Sequence, residues 1–347
     1  MPLAVTQGRR VSAPPEYTGP ADAARRPRRA YAALDLGTNN CRLLIARPAR
    51  QGFYVIDAFS RIVRLGEGLM QTGALTEQAQ ERAIDALRIC ADKLRRRDVW
   101  MARNVATEAC RRASNGQDFV ARVYEETGIA LDVISPKEEA RLAVLGCQTL
   151  IEPGYAQALV FDIGGGSTEL ILVGLSGGHA EMLAWTSVPW GVVSLSETQP
   201  ADIADPQARA LAYAEMVARV QAEIAPFASQ IAQEINPARV QLLGTSGTVT
   251  TLASLYMDLP NYDRRIVDGC WVPSQAMRDI SQRLSAMRVA ERAALPCIGQ
   301  ERADLVIAGC AILEAILDYW PMERLRVADR GIREGILRTL MVRDGAR

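Results

Sequence analysis

The stretch FDIGGGSTELILV, residues 161–173, places an acidic residue, three glycines and two hydroxyl side chains between two apolar runs. Glycines leave the backbone amides of a turn unencumbered, so a turn of this kind can bind a phosphate. Asp162 ends the first apolar run, where a carboxylate has little structural use but can hold a hydrated cation. Because a single stretch of this kind is also typical of an ordinary hairpin, its interpretation depends on matching segments elsewhere in the chain.

One matching segment is AALDLGTNNCRLLIA, in which Asp35 aligns with Asp162 and Gly37 aligns with Gly164. Each copy has the pattern of two strands joined by a glycine-bearing turn. A further strand pattern and then a long helical pattern follow each copy, TEQAQERAIDALRICADKLRR in the first half and DPQARALAYAEMVARVQAEIAPFASQIAQEI in the second. The repeat predicts two related α/β lobes with a cleft between them.

A third glycine-rich segment, VQLLGTSGTVTTLASL at 240–255, leads from an apolar strand through a turn into a helical pattern that starts near Val249. Free backbone amides at a helix N-terminus bind anions. At the corresponding place in the first half, VWMARNVATEACRRASN leads into Thr107 and Arg111 instead of a glycine loop. Two hairpins with matching aspartates and a strand-GTSGT-helix segment together predict a shared site for phosphate and metal.

The overall composition excludes several classes of function. Lys plus Arg and Asp plus Glu number 40 each, which argues against a nucleic-acid protein that depends on bulk positive charge. The seven cysteines form no CxxC motif and indicate free thiols in a reducing cytoplasm. The single histidine, His179, argues against a Ser-His-Asp triad or a multi-histidine metal site. No stretch is long and apolar enough to span a bilayer.

The length of 347 residues suggests about two domains. Residues 1–29 are rich in Pro, Ala and Arg, which predicts a disordered tail. We place the N-terminal lobe at 30–142 and the C-terminal lobe at 143–347. Whether the last helix, about 328–347, packs back on the first lobe is left open.

Six motifs carry a resemblance to a known family: DLGTNNCRLLIA, ATEACRRASN, ISPKEEARL, VFDIGGGSTELILV, LLGTSGTVTTLA and ADRGIREGIL. They occur in the order seen in the exopolyphosphatase and guanosine pentaphosphate phosphohydrolase family, which belongs to the superfamily of actin, sugar kinases and heat-shock ATPases. The resemblance spans roughly residues 31–340 and implies two ribonuclease-H-like lobes with the active site in the interdomain cleft. It also implies the short, two-lobe form of the family.

The resemblance assigns roles to individual residues. Glu139 aligns with the catalytic base of the family, and Arg111 aligns with the arginine that grips the phosphate. Asp162 and Glu169 match the metal-associated carboxylates, and Asp35 faces them from the other hairpin. Mg²⁺ is the expected ion, with other divalent ions and an activating monovalent cation such as K⁺ left open.

Local sequence supports the choice of Glu139 over its neighbour Glu138, which is the reserve candidate for the base. Ser135 has the pattern of a helix N-cap, Pro136 of the first helical position and Glu138 of the third, which together predict a capping box. Glu138 is then occupied by capping, and Glu139 is free for chemistry. We expect burial or Glu138 to raise the pKa of Glu139, because an ordinary carboxylate removes a proton from water only weakly.

The resemblance also implies three phosphate-binding segments. The first departs from the family, since GTNN stands where many relatives have GSNS or GTNS, which puts a hydroxyl contact at Asn40 in doubt. The phosphate-binding residues implied by the motifs are Thr38, Asn39, Asn40, Gly164, Gly165, Gly166, Ser167, Gly244, Thr245, Ser246, Gly247 and Thr248.

The leading functional hypothesis is an exopolyphosphatase that releases the terminal phosphate of inorganic polyphosphate. Hydrolysis of the 5′ γ-phosphate of guanosine pentaphosphate is the runner-up. Two further hypotheses are a kinase of the same superfamily and a non-catalytic sensor of polyphosphate or nucleotide. The expected protein is cytoplasmic and homodimeric, and binds neither nucleic acid nor membrane.

Overall fold

The computed structural model describes residues 29–50, 52–176, 179–200, 202–236 and 239–345. The tail predicted for residues 1–29 lies outside this part of the chain, apart from Arg29. The described residues contain two mixed β-sheets, one from each half of the chain, with helices packed on them.

The first sheet has the strand order β3-β2-β1-β4-β5. Its elements are β1 (Ala30–Leu36), β2 (Asn40–Pro48), β3 (Phe53–Ile62), α1 (Leu69–Thr72), α2 (Glu77–Arg96), β4 (Val99–Ala106), α3 (Glu108–Arg112), α4 (Gly116–Thr127) and β5 (Asp132–Val133). The first three strands are antiparallel, and β4 and β5 run parallel to β1. The central strand β1 is apolar at almost every position because helices cover both faces of the sheet.

The second sheet has the strand order β10-β11-β9-β6-β7-β8. The elements after β5 are α5 (Pro136–Cys147), a 3-10 turn (Gln148–Leu150), β6 (Gln157–Ile163), β7 (Thr168–Ser176), β8 (His179–Val188), α6 (Val192–Ser196), α7 (Pro206–Ile231), β9 (Val240–Thr245), α8 (Gly247–Tyr256), α9 (Arg264–Val267), β10 (Trp271–Pro273), α10 (Ser274–Ala286), α11 (Val289–Ala293), α12 (Val306–Tyr319), β11 (Arg324–Ala328) and α13 (Ile332–Arg343).

Both sheets follow one topology. In each, three antiparallel strands are followed by two parallel ones, so that the first strand lies between the second and the fourth. The second sheet adds β10 as an antiparallel edge strand. This is the ribonuclease-H-like strand order, and its presence in both halves confirms the predicted fold. Helix α8 begins at Gly247, two residues before the predicted start near Val249.

Helices α5 and α13 pack against each other between the two sheets. Leu142 of α5 joins the core of the first sheet together with residues of α13, whereas Val144 of α5 joins the core of the second sheet. A Cβ on Gly335 would lie 2.1 Å from the carbonyl oxygen of Leu142, so only glycine permits this close approach. The predicted domain boundary at 142/143 falls inside α5, and the terminal helix α13 contacts β1, β2 and β4 of the first sheet.

All seven cysteines are free thiols, as predicted, with Cys270 and Cys297 partly exposed and the other five buried. Within the part of the chain that the structure describes, no helix is both long enough and apolar enough to cross a membrane.

Candidate active site

A cavity of about 150 Å³ lies between the two lobes. The predicted residues that line it are Asp35, Thr38, Asn39, Asn40, Glu139, Asp162, Gly164, Gly165, Gly166, Ser167, Glu169, Thr245, Ser246, Gly247 and Thr248. Two predicted residues do not line it. Gly244 lies inside β9, where a Cβ would lie 2.4 Å from the ring of Phe161, so its absent side chain serves packing and the prediction of a phosphate contact is not met. Arg111 donates a hydrogen bond to Glu139 but does not itself line the cavity.

The turn at 164–166 owes its orientation to helix α6. The amide of Val192 donates to the carbonyl of Gly164 at 2.9 Å, and the amide of Val193 donates to the carbonyl of Gly165 at 2.8 Å. The hydroxyl of Ser194 donates to the carbonyl of Gly166 at 3.2 Å. Because the N–H of a trans peptide points opposite to its carbonyl, the next amides point away from α6. The turn therefore offers amides, not carbonyls, to an anion.

The second amide set is the N-terminus of α8. The hydroxyl of Ser246 caps this helix by accepting from the amide of Val249 at 3.0 Å. The preceding residue is fixed as well, since the hydroxyl of Thr245 donates to the carbonyl of Arg330 at 2.8 Å. Gly247 and Thr248, at the first two helical positions, line the cavity. Unpaired amides at the start of a ten-residue helix favour an anion there.

Four carboxylates form the carboxylate cluster of the cavity: the buried Glu139 and Glu169 and the partly buried Asp35 and Asp162. Asp162 and Glu169 are cross-strand partners in the β6–β7 hairpin. Burial, with the carboxylates of Glu139 and Asp35, raises the pKa of Asp162 to about 7. Burial, with the carboxylate of Asp162, raises the pKa of Glu169 to about 7. The carboxylates thus repel one another.

The carboxylate cluster fits a hydrated cation. Oδ1 of Asp35 is buried without a hydrogen-bond partner in the described chain, and burial raises the pKa of this carboxyl. Among the residues described, no three His, Cys, Asp or Glu side chains are arranged to ligate a metal directly. Mg²⁺ commonly keeps several waters and binds through one or two carboxylates plus substrate phosphates, so the crowding and the unpartnered oxygen are compatible with this ion.

Glu138 and Glu139 have different environments at the start of α5. Ser135 caps the helix by accepting from the amide of Glu138 at 3.3 Å, as predicted. The reciprocal half of the predicted capping box does not form, because the Glu138 carboxylate pairs with Arg103 and Arg141, each at 2.7 Å. These cations lower the pKa of Glu138 to about 2. Glu138 therefore points away from the cleft, and Glu139 lines it.

Glu139 is 7% exposed and is held by Arg111. Nη1 of Arg111 donates to Oε2 of Glu139 at 2.8 Å and to the carbonyl of Ile134 at 2.7 Å, and Nη2 donates to Glu108 at 2.8 Å. Burial raises the pKa of Glu139 well above its usual value, the carboxylate of Glu169 adds to this, and Arg111 opposes it. The expected rise is confirmed, but its electrostatic cause is Glu169 and not Glu138.

Known proteins are similar to this chain. Residues 44–344 match the model of the Ppx/GppA phosphatase family. The chain belongs to this family. It is 32% identical over 326 residues to a Mycobacterium tuberculosis protein named exopolyphosphatase 2, and the alignment covers 89% of this chain and 98% of that protein.

Solved structures agree with this membership in the Ppx/GppA phosphatase family. An exopolyphosphatase from Cytophaga hutchinsonii is similar with a TM-score of 0.80 and 26% identity, covering 92% of this chain and 99% of that one. A Ppx/GppA family member from Aquifex aeolicus is similar with a TM-score of 0.73 and 27% identity, covering 91% and 98%.

In this Ppx/GppA phosphatase arginines also line the cavity, and three of them, Arg42, Arg302 and Arg333, were not predicted from the sequence. The arginines that line it are Arg42, Arg302, Arg330 and Arg333. Arg42 has no hydrogen-bond or ion-pair partner within the described ranges, and its Nη2 lies 4.0 Å from the Cβ position of Gly247. It therefore reaches from the first lobe towards the α8 N-terminus. The internal repeat could have indicated Arg42, because Arg42 aligns with Glu169 and pairs across the hairpin with Asp35.

Asp329 and Arg330, in the segment before α13, pair with residues distant in the chain. Arg330 pairs with Asp268 at 2.7 Å, whereas Asp329 accepts from the hydroxyl of Tyr262 at 2.5 Å and pairs with Arg264 at 3.1 Å. Both residues still line the cavity. No local pattern could have predicted these partners, because each lies some sixty positions away in the chain.

Proposed function

We propose that this protein is an exopolyphosphatase, which hydrolyses the terminal phosphoanhydride bond of inorganic polyphosphate and releases orthophosphate. One observation carries the proposal: amides of the 164–166 turn and of the α8 N-terminus share a small cavity with Arg42 and the buried carboxylate of Glu139. Such a site neutralises and orients a phosphoryl group beside a base. The names of the relatives support the same activity.

The size of the cavity supports the end of an inorganic chain as substrate. Pockets that enclose drug-sized organic molecules have volumes of roughly 300–1,000 Å³. This cavity, at about 150 Å³, is smaller and better suited to a terminal phosphoryl group with its water than to a whole nucleotide. Guanosine pentaphosphate is the competing substrate, and the experiment below compares the two directly.

Each part of the site has a role in the proposed reaction. The two amide sets and Arg42 bind the non-bridging oxygens of the terminal phosphoryl group. The Glu139 carboxylate accepts a proton from a water that attacks phosphorus, the bridging P–O bond breaks, and the shortened chain leaves with the electron pair. Arg111 acts as a positioning residue that orients Glu139.

The carboxylates of Asp35, Asp162 and Glu169 would hold Mg²⁺ through water. The ion, when bound, supplies positive charge to the phosphate oxygens. Its presence also relieves the mutual repulsion that raises the pKa values of Asp162 and Glu169. A homodimer in the cytoplasm remains a prediction of the sequence, and sedimentation of the purified protein tests the dimer.

Release of orthophosphate by the purified protein with Mg²⁺ tests the proposal, with long-chain polyphosphate and guanosine pentaphosphate offered separately. We expect release from polyphosphate, reduced at least about 100-fold in Glu139→Gln, because a positioned general base contributes about 10²–10⁴-fold. Glu138→Gln is the matched control. It changes the adjacent residue, whose carboxylate faces Arg103 and Arg141, and should retain the wild-type rate within a small factor.

Preference for guanosine pentaphosphate would assign the nucleotide as substrate instead. No release from either compound by the wild type would exclude the hydrolase under these conditions and favour a sensor. Equal losses in the two glutamate variants would contradict Glu139 as the base.

A further inference from the structure

A second and larger cavity, of about 440 Å³, lies at the junction of the lobes on the other side of Leu305 from the active-site cleft. The first lobe contributes residues between 64 and 71, and the second contributes α6, α7 and the segments around α11 and α12. Leu305 lines both cavities. None of the phosphate-binding or carboxylate residues of the cleft lines the second cavity.

Two arginines of the second cavity lack an acidic partner within the described ranges. Arg292 is 5% exposed, and it donates only to main-chain carbonyls, from Nε to Ala303 at 2.8 Å and from Nη1 to Met287 at 2.9 Å. Arg209 donates from Nη1 to the carbonyl of Ile203 at 2.8 Å, and its buried Nε has no partner there. Arg292 is buried and Arg209 is partly buried, and neither forms an ion pair in the described chain, so these two groups favour a bound anion.

The two guanidinium groups line the same cavity. Burial lowers the pKa of Arg292, the carboxylates of Asp202 and Asp304 oppose that lowering, and the charge of Arg209 adds to it. The other basic residue of the cavity, Arg64, is already neutralised by Asp304, with contacts of 2.7 and 3.0 Å. Asp202 is likewise paired, with Arg288 outside the lining. Arg209 and Arg292 therefore form the unneutralised positive part of the lining.

The acidic and apolar parts of the lining define the rest of the ligand. Oε1 of Glu197 accepts from the amide of Gly68 at 2.7 Å, whereas its buried Oε2 has no partner in the described chain and can accept from a donor. Aliphatic side chains form much of the remaining wall: Val193, Ile203, Met216, Leu305 and Ile307. A bare inorganic ion would leave this wall in contact with water.

We propose that the second cavity binds a small organic anion with an apolar body. Its phosphate or carboxylate group lies on Arg209 and Arg292, its apolar body contacts the aliphatic wall, and a hydroxyl or amino group donates to Glu197. The volume suits a ligand of this size, since such pockets measure roughly 300–1,000 Å³. The site goes beyond the proposed phosphatase activity, and its occupancy does not depend on that activity.

Isothermal titration of the full-length protein with phenyl phosphate and with benzoate tests the proposal, with benzyl alcohol as the neutral probe. We expect both anions to bind with Kd below about 1 mM and benzyl alcohol at least about tenfold more weakly, because a charge-assisted hydrogen bond is missing. Arg209→Gln should weaken the binding of both anions at least about tenfold for the same reason. Arg219→Gln is the matched control, since it removes a charge from an exposed position of the same helix α7.

Arg42→Gln separates the two cavities, because Arg42 lines only the cleft. Anion binding that survives Arg42→Gln and is lost in Arg209→Gln supports the proposal. Binding that is lost in Arg42→Gln and retained in Arg209→Gln places the probe in the cleft and overturns it. The proposal is also overturned if neither anion binds at about 10 mM, or if benzyl alcohol binds as tightly as the anions. Since phosphate release is measured separately, failure here leaves the proposed activity untouched.

Discussion

At the scale of single residues, the burial and mutual repulsion of carboxylates govern the site. Asp162 and Glu169 have pKa values near 7 because they are buried next to other carboxylates. Glu139 shares this environment, and only Arg111 among its close neighbours opposes the effect. Folding therefore maintains a repulsion that favours a cation and keeps Glu139 a stronger base than an exposed carboxylate.

Asp162→Asn should make the metal-free protein more stable at pH 8. The pKa of Asp162 is raised from 3.8 to about 7 on folding, so its contribution to stability is present below about pH 4 and is lost as pH rises through 7. A shift of this size corresponds to at most about 4 kcal/mol. In thermal denaturation with a chelator, we expect the melting temperature of the variant to exceed that of the wild type by a few degrees at pH 8 and by less at pH 5.

Asp118→Asn, at an exposed position of α4, is the control and should show no comparable difference between pH 5 and pH 8. A constant difference between Asp162→Asn and wild type across this range would contradict the assigned electrostatic cause.

Arg111→Gln distinguishes a residue that positions the base from one that grips the phosphate. Arg111 opposes the rise in the pKa of Glu139, so its removal raises that pKa further. We expect phosphate release to fall at least about tenfold, and the acidic limb of the pH profile of kcat/KM to move to higher pH. The adjacent, exposed Arg112→Gln is the matched control and should leave both unchanged. A lower rate with an unmoved acidic limb would instead favour direct contact with phosphate.

At the scale of elements, the short helix α6 fixes the orientation of the turn at 164–166. Its N-terminal amides and Ser194 occupy the three carbonyls of residues 164–166. The close approach requires glycine at 191, since a Cβ there would lie 2.4 Å from the carbonyl carbon of Gly165. The turn WGVV, which contains no titratable group, therefore holds the glycine turn of the DIGGGST motif in place.

Gly191→Ala should displace the turn and lower phosphate release at least about tenfold while secondary structure persists, because small displacements at a reacting centre are costly. Gly174→Ala in β7 is the control. The three atoms nearest to its Cβ would belong to the side chain of Leu183, the first at 3.0 Å, and this side chain can shift. Circular dichroism and the phosphate-release assay measure the two properties, and full activity in Gly191→Ala would contradict the role of α6.

At the scale of the whole molecule, α5 and α13 join the two lobes. The terminal helix α13 packs on the first sheet although its sequence follows the second, and α5 contributes side chains to both cores. Ion pairs add to this junction, as between Arg64 of the first lobe and Asp304 of the second. Loss of packing in α13 should therefore destabilise both lobes.

Leu337→Ala tests this coupling. Leu337 is fully buried on α13 against the first sheet, and such a truncation costs about 2–5 kcal/mol. We expect urea denaturation to show a lower midpoint. Val342→Ala on the same helix, where the side chain is 76% exposed, should change stability by less than about 0.5 kcal/mol. Equal effects of the two substitutions would contradict the packing role of α13.

The sequence by itself determined the features that depend on neighbouring positions. Hairpin turns, strand alternation and the N-cap at Ser135 follow from residues within a few positions of one another, and the repeat carries the hairpins twice. The two aspartates, the glycine-rich turns and the placement of Glu139 at a helix start could therefore be predicted, and the motif order identified the family.

Only the tertiary structure decided which side chains meet. Arg111 pairs with Glu139, Gly244 packs under Phe161, and Arg42 reaches towards the α8 N-terminus. The physical reason is that these contacts depend on how the sheets and helices pack, and packing is set by the summed burial of side chains from distant parts of the chain. The local propensity of a segment carries no information about such partners. The second cavity could not be predicted for the same reason, because residues of both lobes line it.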